Sequence, residues 1–213
     1  MKIKVCGLKD PENIQAVAAL SPDYMGFICY GLSPRFVNNL TANEIAFLPE
    51  PVYKTAVFVN ESASTINSLI DTFGFTAIQL HGNESPEFCG VFRGRVKVIK
   101  ALGIDDKFSF DQLKPYIGHV DYFLFDTKTE IYGGSGKSFD WDMLSKYQLD
   151  IPFFLSGGIS LDNIEEIKNI THPQFYGVDL NSKFETEPGI KDIKKLKKAF
   201  EMLKQVENNE VRS

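Results

Sequence analysis

The chain has 213 residues, 43% of them hydrophobic and 13% aromatic, which fits one large domain with a sizeable core and argues against disorder. Its 23 Lys and Arg against 28 Asp and Glu give a formal net charge of −5, so there is no global basic field for nucleic acid or an anionic membrane. A small anionic ligand has to be met by local donors.

No segment approaches the ~20 apolar residues of a membrane span, and the start, Met1 to Gly7, lacks a signal-peptide core. The expected location is the cytoplasm. Cys6, Cys29 and Cys89 are odd in number and lie at no metal-ligand spacing, which fits free thiols better than a disulfide framework or a zinc site.

Short β-rich runs alternate with helix-like segments along the whole chain. The runs are Ile3–Val5, Tyr24–Cys29, Thr55–Val59, Ala77–Leu80, Val96–Ala101, Tyr122–Phe125, Phe153–Leu155 and Phe175–Val178. Between them lie helical candidates at Pro11–Leu20, Ala42–Leu48, Ala63–Phe73, Pro86–Phe92, Phe110–Tyr116, Trp141–Lys146, Leu161–Lys168 and Lys191–Gln205, with caps at Asp10, Thr41, Ser85 and Ser160. Eight βα units of roughly 27 residues demand parallel strands and right-handed crossovers. The expected fold is an α/β protein, a single (β/α)8 TIM barrel over residues 1–206, with a polar tail at 207–213 that frays. An open doubly wound sheet is the alternative, but the first strand is followed by Cys6-Gly7-Leu8-Lys9 and not by a glycine fingerprint.

In a barrel the carboxyl ends of the strands face the active-site mouth. Here those ends carry Cys6, Tyr30 with Arg35 just beyond, Asn60-Glu61, His81, Lys100, Asp126, Ser156-Gly157-Gly158, and Asp179 with Asn181-Ser182. Asp126 is the most telling of them, because a carboxylate that ends the apolar run Phe123-Leu124-Phe125 is a poor strand residue and asks for a reason other than packing. Gly157, Gly158, Asn181 and Ser182 fall in the loops after strands 7 and 8, where barrels commonly bind phosphate through backbone N–H groups. Arg35 offers a guanidinium for a ligand carboxylate, or is a solvated surface arginine. Cys6 serves as base or nucleophile only as a thiolate, which needs nearby positive charge; a buried inert cysteine is the plainer reading, and Cys29 and Cys89 are assigned to packing.

Gly133-Gly134-Ser135-Gly136-Lys137-Ser138 invites a nucleotide-binding reading, but that pattern needs a glycine where Ile131 stands. A flexible lid over the mouth fits better. His119 and His172 precede strands and so belong to the opposite rim from His81, which opposes a three-histidine metal site. The lysine-rich segment Lys191 to Lys204 is read as a solvated helix face.

Taken together, Lys4-Val5-Cys6-Gly7-Leu8, Gly26-Phe27-Ile28 with Ser33-Pro34-Arg35-Phe36, Val57-Phe58-Val59-Asn60-Glu61, Gln79-Leu80-His81-Gly82, Phe125-Asp126, Gly133-Gly134-Ser135-Gly136-Lys137 with Phe139-Asp140-Trp141, Ser156-Gly157-Gly158 and Pro188-Gly189-Ile190-Lys191-Asp192 resemble the phosphoribosylanthranilate isomerase family of tryptophan biosynthesis. One departure is Asn181-Ser182-Lys183, where that family usually has Ser-Ser-Gly. The resemblance implies a cofactor-free Amadori rearrangement of a small phosphosugar; apart from it, no metal is expected and the chain is expected to be a monomer or weak homodimer. It implies Asp126 as general acid, Cys6 as general base, Arg35 on the anthranilate carboxylate and Asp179 lining the site. Gly157, Gly158, Asn181 and Ser182 would receive the phosphate. One group must be protonated while the other is not, so the expectation is that Asp126 is pushed up by desolvation and Cys6 down by local positive charge. The competing readings are a metal-dependent phosphosugar epimerase on the same fold and a barrel that only binds an anionic metabolite.

Overall fold

Parallel strands covered on both faces need near-continuous apolar runs, and all eight runs read from the sequence are strands. In the computed structural model, which describes residues 1–127 and 140–210, with the last helix's side chains described to Lys204, they are β1 (Lys2–Cys6), β2 (Tyr24–Ile28), β3 (Tyr53–Phe58), β4 (Ala77–Leu80), β5 (Lys97–Ile104), β6 (Tyr122–Thr127), β7 (Phe153–Leu155) and β8 (Phe175–Leu180). Every neighbouring pair is parallel and β1 pairs with β8, so the sheet closes into a barrel. The expected lid at Gly133–Ser138 lies outside the described residues.

Successive strand side chains point to opposite faces, and the two sets form two cores. Inside the barrel, Tyr24, Ala77, Ile99, Ala101, Leu124 and Phe154 pack with Tyr53, Tyr122 and Tyr176. Between sheet and outer segments lies the larger core, which includes Val5, Phe27, Phe58, Ile78, Phe123, Phe125, Phe153 and Leu180. Leu124 and Tyr122 point inward, so Asp126, two residues further along β6, shares their face. β8 needs one extra residue for the same result. Phe153 pairs with Phe175 but Phe154 pairs with Gly177. That irregularity lets Tyr176 join the inner layer and still turns Asp179 inward.

The helices follow their capping chemistry where the sequence permits. Asp10 caps α1 (Pro11–Ala18) through Asn13 N–H at 2.8 Å, and Ser62 caps α2 (Ala63–Phe73), which ends at Gly74 in the left-handed region. Ser85 caps the short α3 (Pro86–Gly90). Four expected α-helices are instead 3₁₀ segments: Ala42–Glu44, Phe110–Tyr116, Trp141–Lys146 and Ile164–Asn169. Pro115 removes an N–H from the second of these, and the others are six residues or fewer, a length at which the tighter turn is common. Ser160 caps no α-helix; its hydroxyl accepts from Asp162 N–H.

After β8 the chain adds an element the sequence reading did not contain, an antiparallel hairpin of β9 (Glu185–Glu187) and β10 (Ile190–Lys191). Lys191 therefore belongs to a strand and is buried, not part of a solvated lysine face. The last helix, α4, runs Ile193–Glu210, so the first part of the expected tail continues it, while Leu196, Ala199, Phe200 and Leu203 form its buried stripe as expected.

Phe154 is fully buried and lies edge-on to Tyr24 and Tyr176 at 5.1 and 5.2 Å between ring centroids. Phe154→Ala empties the centre of that layer and is expected to cost about 3–5 kcal/mol, measured as a lower urea midpoint with an unchanged slope. A loss under about 1 kcal/mol would mean the inner layer does not support the barrel.

Candidate active site

Lys4 and Cys6 are two residues apart on β1 and share its inward face. Lys4 is in register with Asp179 of β8, and its ammonium meets that carboxylate at 2.9 Å with both side chains buried. Burial opposes the ammonium, but Asp179 and Cys6 together hold Lys4 above its ordinary pKa. Burial also pushes Asp179 up, against the pull of Lys4 and Lys191.

Cys6 ends β1 and is 3% exposed. Its register partner on β2 is Gly26, whose missing side chain leaves room for the sulfur: a Cβ there would stand 2.6 Å from Sγ. Burial raises the thiol's pKa, and the nearby ammonium groups of Lys4 and Lys191 only partly offset it, with Asp179 adding to the rise. This corrects the expectation that local positive charge takes Cys6 below its ordinary value. In the free protein the desolvation is larger than the cations' pull.

Asp126 behaves as expected. It is pushed up to about 6, first by burial and then by the Asp179 charge, while Thr127 N–H and Lys4 pull the other way. Oδ1 accepts from Thr127 N–H at 2.8 Å, and Oδ2 is 3.7 Å from His81 Nε2 at the end of β4. His81 is lowered to about 4, by burial and then by Lys100 and Lys4, so it faces Asp126 as a neutral ring. Its Nδ1 lies 3.0 Å from the Gln79 amide nitrogen. Cys6 and Asp126 thus both sense the Lys4–Asp179 pair, and both keep company with a cation and a carboxylate inside one barrel mouth.

The loop after β7 touches the acid directly. Gly157 and Gly158 have φ of +82° and +72°, and a Cβ on Gly157 would lie 2.6 Å from Asp126 Oδ1. Among the described residues, the N–H groups of Gly157, Gly158, Asn181 and Ser182 have no protein acceptor. Arg35, in the loop after β2, is 11% exposed and paired with Glu185 at 2.7 Å, so it is neither a solvated surface arginine nor unpartnered. Gly7 joins these loops, since a Cβ there would fall 2.7 Å from Asn181 Oδ1 and 2.8 Å from Arg35 Cδ. All eight residues singled out from the sequence therefore lie at the carboxyl ends of the strands or in the loops that follow.

Sequence reasoning missed Lys4, Glu185 and Lys191. Lys4 had a usable signal, a lysine alternating with Cys6 inside a buried strand. Lys100, noted only as a strand end, is a staple: its ammonium donates to the carbonyls of Leu80 and Gly82 at 3.1 and 2.7 Å and meets Glu84 at 3.0 Å. Glu84 in turn accepts from Asn60 and Gly82 N–H, which ties the ends of β3, β4 and β5 together under His81. His119 lies against Gly90 and His172 Nε2 is 2.9 Å from the Tyr147 carbonyl, both away from the mouth.

Comparison with known proteins agrees with this geometry. A family model described as N-(5'-phosphoribosyl)anthranilate (PRA) isomerase matches residues 3–202. The N-(5'-phosphoribosyl)anthranilate isomerase of Parabacteroides distasonis is 48% identical over 206 residues, covering 95% of this chain and 93% of the relative. The crystal structure of phosphoribosyl anthranilate isomerase from Thermotoga maritima superimposes with a TM-score of 0.83 at 30% identity, covering 96% of this chain and 99% of that one. Another solved isomerase, in complex with reduced 1-(o-carboxyphenylamino)-1-deoxyribulose 5-phosphate, aligns with a TM-score of 0.79 at 26% identity over 96% of this chain and 99% of its own. With a family match over nearly its whole length laid on a barrel mouth that holds a thiol, a carboxylic acid and two open N–H loops, this chain belongs to the N-(5'-phosphoribosyl)anthranilate isomerase family.

Proposed function

We propose that Cys6 and Asp126 are the general base and general acid of the family's reaction, the Amadori rearrangement of N-(5-phosphoribosyl)anthranilate to 1-(2-carboxyphenylamino)-1-deoxyribulose 5-phosphate. Asp126 donates its proton to the ribose ring oxygen, the C1–O bond breaks, and the anilino nitrogen's lone pair completes a protonated Schiff base. The Cys6 thiolate then takes the proton from C2, giving an enol-amine that tautomerises to the ketone. The observation that carries this reading is the raised Asp126. A carboxyl held at about 6 keeps a usable acid fraction near neutral pH, which an ordinary aspartate does not.

The substrate's two anionic ends fit the rest of the mouth. Arg35 takes the anthranilate carboxylate, Asp179 lines the site through Lys4, and the N–H groups of Gly157, Gly158, Asn181 and Ser182 take the phosphate. No helix among the described residues is long and apolar enough to cross a membrane, in keeping with a cytoplasmic enzyme. One solved relative, from Thermotoga maritima, is described as dimeric; this chain is assigned as a monomer or weak homodimer, which sedimentation at several concentrations reads directly.

Cys6→Ser and Asp126→Asn are each expected to lower kcat by roughly 10²-fold or more, the scale of a positioned acid or base, while the product analogue still binds. Loss of the substrate's fluorescence follows turnover. Full activity in Cys6→Ser would remove the proposed base.

The two titrations also predict an unusual pH profile. Between about 6 and the raised Cys6 value, each step up in pH deprotonates Asp126 further and frees an equal fraction of thiolate, so the two effects cancel. The kcat/KM of the unaltered protein is therefore expected to rise up to pH about 6 and then stay flat into the alkaline range. In Asp126→Asn only the thiol titrates, and the residual kcat/KM should climb about tenfold per pH unit without that plateau. A profile that breaks at pH 6 in both proteins would assign that break to another group.

A further inference from the structure

The hairpin after β8 builds a second charged cluster at the mouth. Glu185 begins β9 and Lys191 ends β10. The Glu185 carboxylate accepts from Arg35 Nε at 2.9 and 3.0 Å, from Arg35 Nη2 at 2.7 Å and from Lys191 Nζ at 2.6 Å. Lys191 also donates to Asn181 Oδ1 at 2.8 Å, and its own backbone is clamped by the Asn13 side-chain amide, through N–H at 2.7 Å and carbonyl at 2.9 Å. The side chains of Arg35, Glu185 and Lys191 are 11, 5 and 0% exposed.

Two consequences follow from charge and geometry. Two cations share one carboxylate, so the cluster carries one net positive charge in a poorly solvated place, a situation that calls for a further anion. A guanidinium also has two bidentate edges. Glu185 holds the Nε–Nη2 edge, and among the described residues no partner takes the edge formed by Nη1 and Nη2.

We propose that Glu185 is a positioning residue for substrate recognition: it grips one edge of Arg35 and so presents the other to the anthranilate carboxylate, while Lys191 offsets Glu185 and leaves the cluster the single positive charge that this carboxylate neutralises. The inference rests on the assignment of Arg35 to the carboxylate given above. Glu185 touches no reacting atom and acts through the arginine. A hairpin that only props up the fold would be indifferent to whether the ligand carries a carboxylate, and that difference is measurable.

The test compares calorimetric binding of reduced 1-(o-carboxyphenylamino)-1-deoxyribulose 5-phosphate with that of its counterpart lacking the carboxylate. The proteins are the unaltered chain, Arg35→Met, Glu185→Gln, and the double variant Glu185→Gln with Lys191→Met. The double variant leaves no buried ammonium without a partner and keeps the cluster's net charge; it also removes the Lys191–Asn181 bond beside the phosphate loop, so a loss confined to the carboxylated ligand is what reads orientation, and the test survives if Glu185→Gln does not fold. Each altered protein is expected to bind the carboxylated ligand about tenfold or more weakly and the other ligand within about twofold of normal. In turnover, Glu185→Gln should raise KM with kcat within about threefold, and Glu185→Asp should recover part of the loss. Equal weakening of both ligands, or of neither, in the Glu185 variants overturns the inference while leaving Arg35 in place. An Arg35→Met protein that binds the carboxylated ligand normally overturns the assignment of Arg35 itself, and this inference with it.

Discussion

The mouth of this barrel depends on one buried ion pair, Lys4 with Asp179. The two residues are register partners on the first and last strands, so the contact that closes the barrel and the contact that sets its electrostatics are the same. Removing either partner would leave a buried charge alone, a change that typically costs about 3–5 kcal/mol. Cys6 and Asp126 both feel this pair from their own sides of the mouth. Lys4 pulls both groups down and Asp179 pushes both up. A neutral pair of the same shape would close the seam equally well but would leave the thiol and the carboxyl without a shared field.

That field explains why desolvation has the larger say in both titrations. Asp126 and Cys6 are each raised first by burial, and for the proposed acid this is what the role requires. For the proposed base it is a cost, since it lowers the thiolate fraction in the free protein. The cost is tolerable because a thiolate formed in a dry site is poorly solvated and correspondingly basic, and two cations, Lys4 and Lys191, stand close enough to support it when it forms. His81 adds to the arrangement by being neutral. An imidazolium 3.7 Å from Asp126 would favour the ionised carboxyl, and burial beside Lys100 and Lys4 prevents it.

The strands were legible in the sequence because a barrel strand is covered on both faces and leaves an unbroken apolar run. The positions of Cys6 and Asp126 at the mouth were legible because each ends such a run, as Asp126 does after Phe125. What the sequence hid was of two kinds. Ala42–Leu48 and Leu161–Lys168 carry helical periodicity but too little length for it to win, and they collapse to 3₁₀ turns. Glu185 and Lys191 sit on a strand of three residues and one of two, too short for any periodic signal, and Lys191 stands directly before a lysine-rich helix that masks it. Local pattern finds elements; it does not find a charge whose partner is 150 residues away, as Arg35 is from Glu185.

A common packing device runs through the site. Four side chains of the mouth are set against a glycine on a neighbouring strand or loop: Cys6 against Gly26, Asp126 against Gly157, and Arg35 with Asn181 against Gly7. In every case a single added Cβ would fall within 2.8 Å of an atom of that side chain, closer than real side chains approach. The space these glycines leave is already filled by the side chains themselves, which are held by contact and not by long tethers. The mouth can therefore keep a thiol, a carboxylic acid and a guanidinium close to one another through packing. Its order comes from the backbone: register places Gly26 opposite Cys6, and the irregularity in β8 turns Asp179 toward Lys4. Specific chemistry here is a consequence of strand pairing, and the hairpin adds the one charged side chain that register alone could not deliver to Arg35.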